Sequence, residues 1–425
     1  MRKKRTPASA KIFRWVCVLL VAATLVAGWR FYKTYGKGQK PSAGSVEQSE
    51  PTARLSTDPV QSETQSQSEV ETVPVTDEVT EEPTTEPQGP TVSTVTLLAV
   101  GDNLIHNTVY ESGWDTDPWN YDHLYQYVAP DIQAADIAVI NQETIFVKDH
   151  KYCSNYPCFG TPREIGDAVY KAGFDVILHA TNHVMDMGID NIYDAIDYWS
   201  DKDVTVLGIH KKPNEPPVIL EKNGIKIGML NYVYGMNGFE LPAGNEYAVD
   251  LLAYQDKLKS DIAYLEEHAD ITVGFFHVGQ EYSIVPTADA EQVVEMACNA
   301  GVDIMINCHP HVLQPYGIYT SSNGNQALVY WSLGNFISAQ TRLDSLIGGM
   351  ATLTIQKTVD GDTTVTEVTD YDLTPLVTHT AKDKTYAVYK LEDYTDELGA
   401  KNFRYPMTTA EAWKRFYQIV GEPED

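Results

Sequence analysis

The chain has 425 residues, 43% of them hydrophobic, enough for one large domain or two ordinary ones. Its 31 basic and 59 acidic residues leave a net charge of -28. Such a surface repels a phosphate backbone, which argues against nucleic acid as a partner.

The charge falls into three regions. Residues 1–40 hold ten Lys/Arg and no acid, and Trp15 to Trp29 carries no charge at all. Residues 1–11 read as a basic cytoplasmic tail and residues 12–32, near the ~20 needed for a helix to cross a bilayer, as a single transmembrane signal anchor. Arg14 and Arg30 bracket the apolar stretch with side chains long enough to snorkel. A cleaved signal peptide competes, since Val26-Ala27-Gly28 offers a small-residue cleavage site. The cluster Arg2-Lys3-Lys4-Arg5 favours the retained anchor, with the bulk of the chain outside the cell membrane. Residues 33–92 form an acidic Ser/Thr/Glu/Pro-rich linker; from 41 to 90 there are eleven acids against the single Arg54. That composition cannot bury enough apolar surface to fold.

Residues 93–345 read as a folded α/β domain and 346–425 as an extension packed on it, whose C-terminal helix around Trp413 to Val420 serves as a lid or brace. Apolar, β-branched runs recur at Val95 to Val100, Ile137 to Ile140, Val176 to Leu178, Val204 to Leu207, Ile225 to Leu230, Ile271 to Phe276, Ile304 to Ile306 and Ala327 to Trp331. Helical patterns lie between several of them. Thr161-Pro162-Arg163-Glu164 predicts an N-cap with a capping-box glutamate, followed by an apolar face of Ile165, Ala168, Val169 and Ala172 and a closing Gly173. Val293, Met296, Ala297 and Ala300 predict a second helix before Gly301, and Trp413, Phe416, Tyr417 and Val420 a third before Gly421. Strand, helix and strand in this order predict a parallel or mixed sheet covered on both faces.

Polar clusters follow the strands: Gly101-Asp102-Asn103, Asn141-Gln142-Glu143, His179 to His183, His277 to Glu281 and His309-Pro310-His311. Loops beyond the carboxyl ends of strands form the ligand crevice of open α/β sheets, so these clusters should converge. Asp, Glu, Asn and His together are the ligand chemistry of a Zn, Mn or Fe site. Alternation along an extended segment would point His309 and His311 the same way, stiffened by Pro310. His106, His150 and His179 read instead as hydrogen-bonded structural groups. Asp102 alone would serve an Asx turn and Glu143 alone a helix start. Cys153 and Cys158 are spaced to permit a disulfide or to remain two thiols.

In this order the motifs Gly101-Asp102, Asn141-Gln142-Glu143, Ala180-Thr181-Asn182-His183, His277 to Tyr282, His309-Pro310-His311-Val312 and Tyr330 to Phe336 resemble the CapA-type capsule synthesis proteins over about residues 93–345. The resemblance implies a calcineurin-like metallophosphoesterase fold, a mixed β-sheet sandwich flanked by helices. It also implies a role in making or exporting poly-γ-glutamate at the bacterial surface. Residue by residue it implies Asp102, Glu143, Asn182, His277, His309 and His311 as ligands of one or two divalent ions (Mn, Zn or Fe), with Glu143 bridging. His183 would be the general acid, Glu281 a base or the group that orients His277, and Asn141 and Asn335 substrate contacts. The implied partners are an anionic cell-surface polymer or its precursor, other capsule-synthesis membrane subunits and the membrane itself. The alternative to a metal-dependent hydrolase is a non-catalytic polymer-binding or scaffold subunit. The chain departs from related phosphoesterases at Leu104, where an Asp-x-His pair has its imidazole unless His106 substitutes, and at Glu143, where aspartate is usual. It departs from the family itself at Val278, which replaces a common tryptophan, and at Cys308, which replaces a glycine.

Overall fold

A computed structural model describes residues 89–422; the expected tail, anchor and most of the linker lie outside them. Among the described residues no helix is long and apolar enough to cross a membrane. In chain order the strands are β1 Thr91–Asn103, β2 Ile137–Asn141, β3 Phe146–Val147, β4 Thr161–Pro162, β5 Val176–Leu178, β6 Thr205–Leu207, β7 Val218–Lys222, β8 Ile225–Val233, β9 Ile271–His277, β10 Ile304–Cys308, β11 Tyr316–Thr320, β12 Gln326–Tyr330, β13 Asn335–Ile337, β14 Ile347–Asp360, β15 Thr363–Thr380 and β16 Tyr386–Lys390. The α-helices are α1 Asn107–Tyr110, α2 Ala129–Ala134, α3 Arg163–Ala172, α4 Ile189–Ser200, α5 Gln255–His268, α6 Ala288–Ala300, α7 Leu343–Leu346, α8 Asp396–Lys401 and α9 Thr409–Val420.

Fourteen of the strands form two mixed sheets, and β3 and β4 pair with each other. The first runs β16-β15-β14-β1-β2-β5-β6 with β13 also on β1, and the second runs β11-β12-β10-β9-β8-β7. Alternation along β1 shows how they are covered: Val95, Leu97 and Ala99 point to an interior shared with β8, β9 and β10, while Leu98 and Val100 point to α2, α3 and α4. The outer face of the second sheet carries α5 and α6 through Leu258, Ile262, Leu265, Val294 and Ala297. The result is four layers, helices on two sheets on helices, with the central strands β2, β5, β9 and β10 buried along their whole length as their apolar runs require.

Each of the eight predicted runs falls in a strand, but some local expectations change. Helix α3 has Pro162 at its N-cap with no side-chain cap; Thr161 bonds Thr144, and Glu164 pairs with His150 at 2.8 Å. The buried stripe of α6 is Ala290, Val294, Ala297 and Cys298, so Val293 and Met296 lie at its margin. The sheet runs straight through the boundary placed at residue 345. β14 pairs antiparallel with β1 from Thr91↔Val359 to Val100↔Met350, and β15 pairs along β14. Residues 347–380 are therefore strands of the domain's own sheet and not a separate extension, and α9 packs on the inter-sheet core through Ala412, Phe416 and Ile419.

Candidate metal centre

The parallel strands deliver the site residues at one edge. Register sets Asp102 of β1 opposite Asn141 of β2 and opposite Asn335 of β13, and sets Cys308 of β10 opposite His277 of β9. Asp102 can meet β13 because Gly101 has no side chain: a Cβ there would lie 1.9 Å from the Gly334 carbonyl oxygen, the same oxygen that accepts the Asp102 N–H at 2.9 Å. Asp102, Glu143, Asn182, His183, His277, His309 and His311 are all buried.

Ligand atoms of Asp102, Glu143 and His311 lie within 4.8 Å of one another. His311 Nδ1 donates to Asp102 Oδ2 at 2.9 Å, and its Nε2 stands 3.7 Å from Glu143 Oε1. His277 joins from the side: Nε2 meets the Asn182 Oδ1 at 2.9 Å and lies 3.9 Å from Glu143 Oε1. Asn141 Nδ2 donates to Asp102 Oδ1 at 2.7 Å and to His277 Nδ1 at 3.3 Å, so Asn141 positions two candidate ligands. The His309 ring centroid lies 4.9 Å from that of His277 and 5.9 Å from that of His311.

Charge at this edge is out of balance. Burial, and then Asp102, push the Glu143 carboxyl well above its ordinary range, against the pull of His311. Burial opposes a charged His311, yet Glu143 and the Asp102 hydrogen bond outweigh it and carry the imidazole up to about 9. Burial and then His311 hold His309 down to about 3, and burial and then His309 hold His277 well below the usual histidine value. Both Glu143 oxygens and the His309 Nδ1 are buried without a hydrogen-bond partner. Protein groups leave these donors open, and the facing Asn182 oxygen and His277 nitrogen are a second pair that one cation would satisfy in place of a proton. A mixed O/N set of this kind fits a divalent ion of the Mn, Fe or Zn class.

Several sequence expectations are corrected. The two imidazoles do not converge by strand alternation: His309 has φ +101° and His311 φ +59°, both left-handed, so the chain kinks at each to bring them inward. Asn335 is not open to substrate. Its amide donates to the His311, Gln340 and Ser345 side-chain or backbone oxygens at 3.2, 3.0 and 2.9 Å while its oxygen takes the His311 Nδ1 at 3.1 Å. Glu281 is exposed beyond β9, and Asn141 and Asn182, not Glu281, orient His277. His106 does not replace the missing imidazole. Its Nδ1 accepts the Ala339 N–H at 3.2 Å and its ring stands edge-on to Phe159. His179 accepts from Trp199 Nε1 at 2.9 Å, the structural part expected of it. Cys153 and Cys158 are not bonded to each other, and Cys308 is buried beside Asp102.

One residue escaped sequence reasoning. Asp186 Oδ2 accepts from His183 Nδ1 at 2.7 Å and from the Phe159 N–H at 2.6 Å, fixing the imidazole and leaving Nε2 as its working atom. The three-residue interval from His183 was the available signal.

Comparison with known proteins agrees with the motif order. The family model described as bacterial capsule synthesis protein PGA_cap matches residues 96–340. The chain is 26% identical over 295 residues to the PGA biosynthesis protein CapA of Bacillus subtilis, covering 65% of this chain and 76% of that one. It is 27% identical over 259 residues to the capsule biosynthesis protein CapA of Bacillus anthracis, covering 58% of this chain and 60% of that one. Among solved structures it is similar to the NAD nucleotidase of Haemophilus influenzae, with a TM-score of 0.40, 10% identity, and coverage of 79% of this chain and 57% of the other.

Proposed function

Given that the chain belongs to the bacterial capsule synthesis protein family, we propose that it serves synthesis or export of a poly-γ-glutamate-type capsule polymer as a metal-dependent hydrolase held at the outer face of the cell membrane. Family membership and the two capsule relatives support the role in capsule formation. The observation that carries the hydrolase reading is the buried, unpartnered Glu143 carboxylate set among Asp102, His277 and His311.

In this reading Asp102, Glu143 and His311 would hold a divalent ion, and Asn182, His277 and His309 would supply further ligand atoms beside it. Such ions, when bound, polarise the scissile oxygen and lower the pKa of a water. The chain supplies the rest. Asn141 fixes Asp102 and His277 through one amide. Asp186 holds His183 by Nδ1, so Nε2 delivers the proton to the departing oxygen or amine. Burial of the cluster excludes bulk water from the carboxylates.

The test is elemental analysis of the full chain, purified without chelator, beside His309→Ala and His311→Ala. Near-stoichiometric Mn, Fe or Zn that falls in both variants is the expected result. No metal in the wild type after reconstitution sinks the hydrolase and leaves a polymer-binding scaffold.

A further inference from the structure

Beyond the cluster itself, one feature of its rim has no role in the chemistry above. Tyr282 is 37% exposed with its ring centroid 6.2 Å from that of His311, and the Arg342 guanidinium lies over that ring, 4.3 Å from its centroid. Arg342 enters no ion pair among the described residues; Asp344, its near neighbour, is taken by Arg415 at 2.5 and 2.7 Å. The rest of the rim is Tyr234, whose ring is 4.7 Å from His309, and the exposed Glu281.

The plate is built in place. Tyr282 has φ +66°, a conformation a tyrosine seldom takes, and its N–H donates to the Pro310 carbonyl between the two site histidines at 2.7 Å. Its hydroxyl accepts from Gln340 at 3.3 Å, Gln340 accepts from Asn335 at 3.0 Å, and Asn335 accepts from His311 at 3.1 Å. One chain of contacts thus ties the guanidinium to a candidate ligand. Stacking on an aromatic ring orients a guanidinium while leaving its N–H edge open, and that edge matches two oxygens of a carboxylate or phosphate. In a chain of net charge -28, an unpaired cation fixed beside this buried carboxylate and histidine cluster is a means of admitting an anion that the rest of the surface repels.

We infer that Arg342 and Tyr282 form an oxyanion subsite beside the metal centre, which reads a carboxylate or phosphate group of the substrate adjoining the bond that is cut. The assignment rests on the proposed hydrolase for its place in a reaction, and its test separates the two. Binding of a fluorescein-labelled tetra-γ-glutamate peptide, and of a neutral counterpart in which each free carboxylate is a carboxamide, is measured by anisotropy on the full chain in detergent micelles, with manganese content determined for every sample. Arg342→Gln weakens the acidic peptide about tenfold or more and the neutral peptide less than about twofold, with manganese unchanged, and Arg342→Lys falls between because it keeps charge without the fork. Equal losses for both peptides, or none, overturn the subsite. If the acidic peptide fails to bind the wild type while inorganic phosphate binds in an Arg342-dependent way, the subsite stands with phosphate as its ligand. If neither oxyanion depends on Arg342 the subsite falls, even where manganese is stoichiometric. Absence of manganese from the wild type breaks the hydrolase instead, and leaves the Arg342 comparison readable.

Discussion

Two buried imidazoles, each beyond the end of a parallel strand, have opposite surroundings. His179, after β5, sits among Phe146, Ala195 and Trp199 and has one partner, the Trp199 N–H; burial holds it down to about 3. His311, after β10, lies between two carboxylates that carry it up to about 9. Both are nearly inaccessible, so burial does not mark a working histidine. What separates them is the company: His179 takes an indole N–H among aromatic rings, whereas beside His311 the two Glu143 oxygens stand buried without a hydrogen-bond partner.

The comparison breaks most readily at the His179 side. Trp199→Ala removes a fully buried indole and the His179 hydrogen bond, and should cost about 3–5 kcal/mol in urea unfolding while leaving metal per folded molecule unchanged. A metal content that fell with it would show that the two regions are one.

At the His311 side the sharper test is pH. His311 is raised in the folded chain, so its contribution is fully present below its unfolded value of 6.5 and is lost as pH rises toward about 9. Metal-free protein should therefore lose on the order of 3 kcal/mol between those limits. Glu143, also raised, acts in the same direction above its ordinary value. Chemical denaturation across this window should show a shallower slope in His311→Ala, and a flat profile once both groups are removed in His311→Ala with Glu143→Gln. A slope that survives both changes assigns the effect elsewhere.

A smaller effect of opposite sign follows from Glu143. At pH 10, above the value near 9 at which His311 gives up its proton, Glu143→Gln should stabilise the metal-free chain by about 1–2 kcal/mol by removing a buried carboxyl without a partner, while it lowers metal binding. Glu281→Gln should be the quietest change, within about 0.5 kcal/mol of wild type and with metal content intact, because that carboxylate is exposed and holds no ligand in place.

Most of the site was legible because it follows strand ends. Asp102, Glu143, Asn182, His277, His309 and His311 each come directly after an apolar run, and parallel register carries such positions to one edge. Roles were harder to read than places. Asn335 and Glu281 look alike as polar residues in motifs, and only three-dimensional hydrogen bonding makes one a strut of His311 and the other a solvated rim group. The kinked backbone at His309 and His311 had no local signal, since no glycine stands there. Strands β14 and β15 were missed for a different reason. Much of β15, as in Thr363 to Asp372, is polar and exposed, so the apolar run that marks a strand is absent and pairing with β14 supplies what propensity does not.

The long pairing of β1 with β14 has a consequence for how the molecule comes into being. Asp102 lies on a strand whose two flanks are β2, close in sequence, and β14, some 250 residues further on, and its His311 partner is 209 positions away. Such distant contacts form slowly. A nascent chain halted before residue 347 would carry β1 as a bare edge, a template for intermolecular strand addition. Strand β14 must therefore be made before the carboxylate acquires its setting, and the centre is a device that only a complete domain can arm.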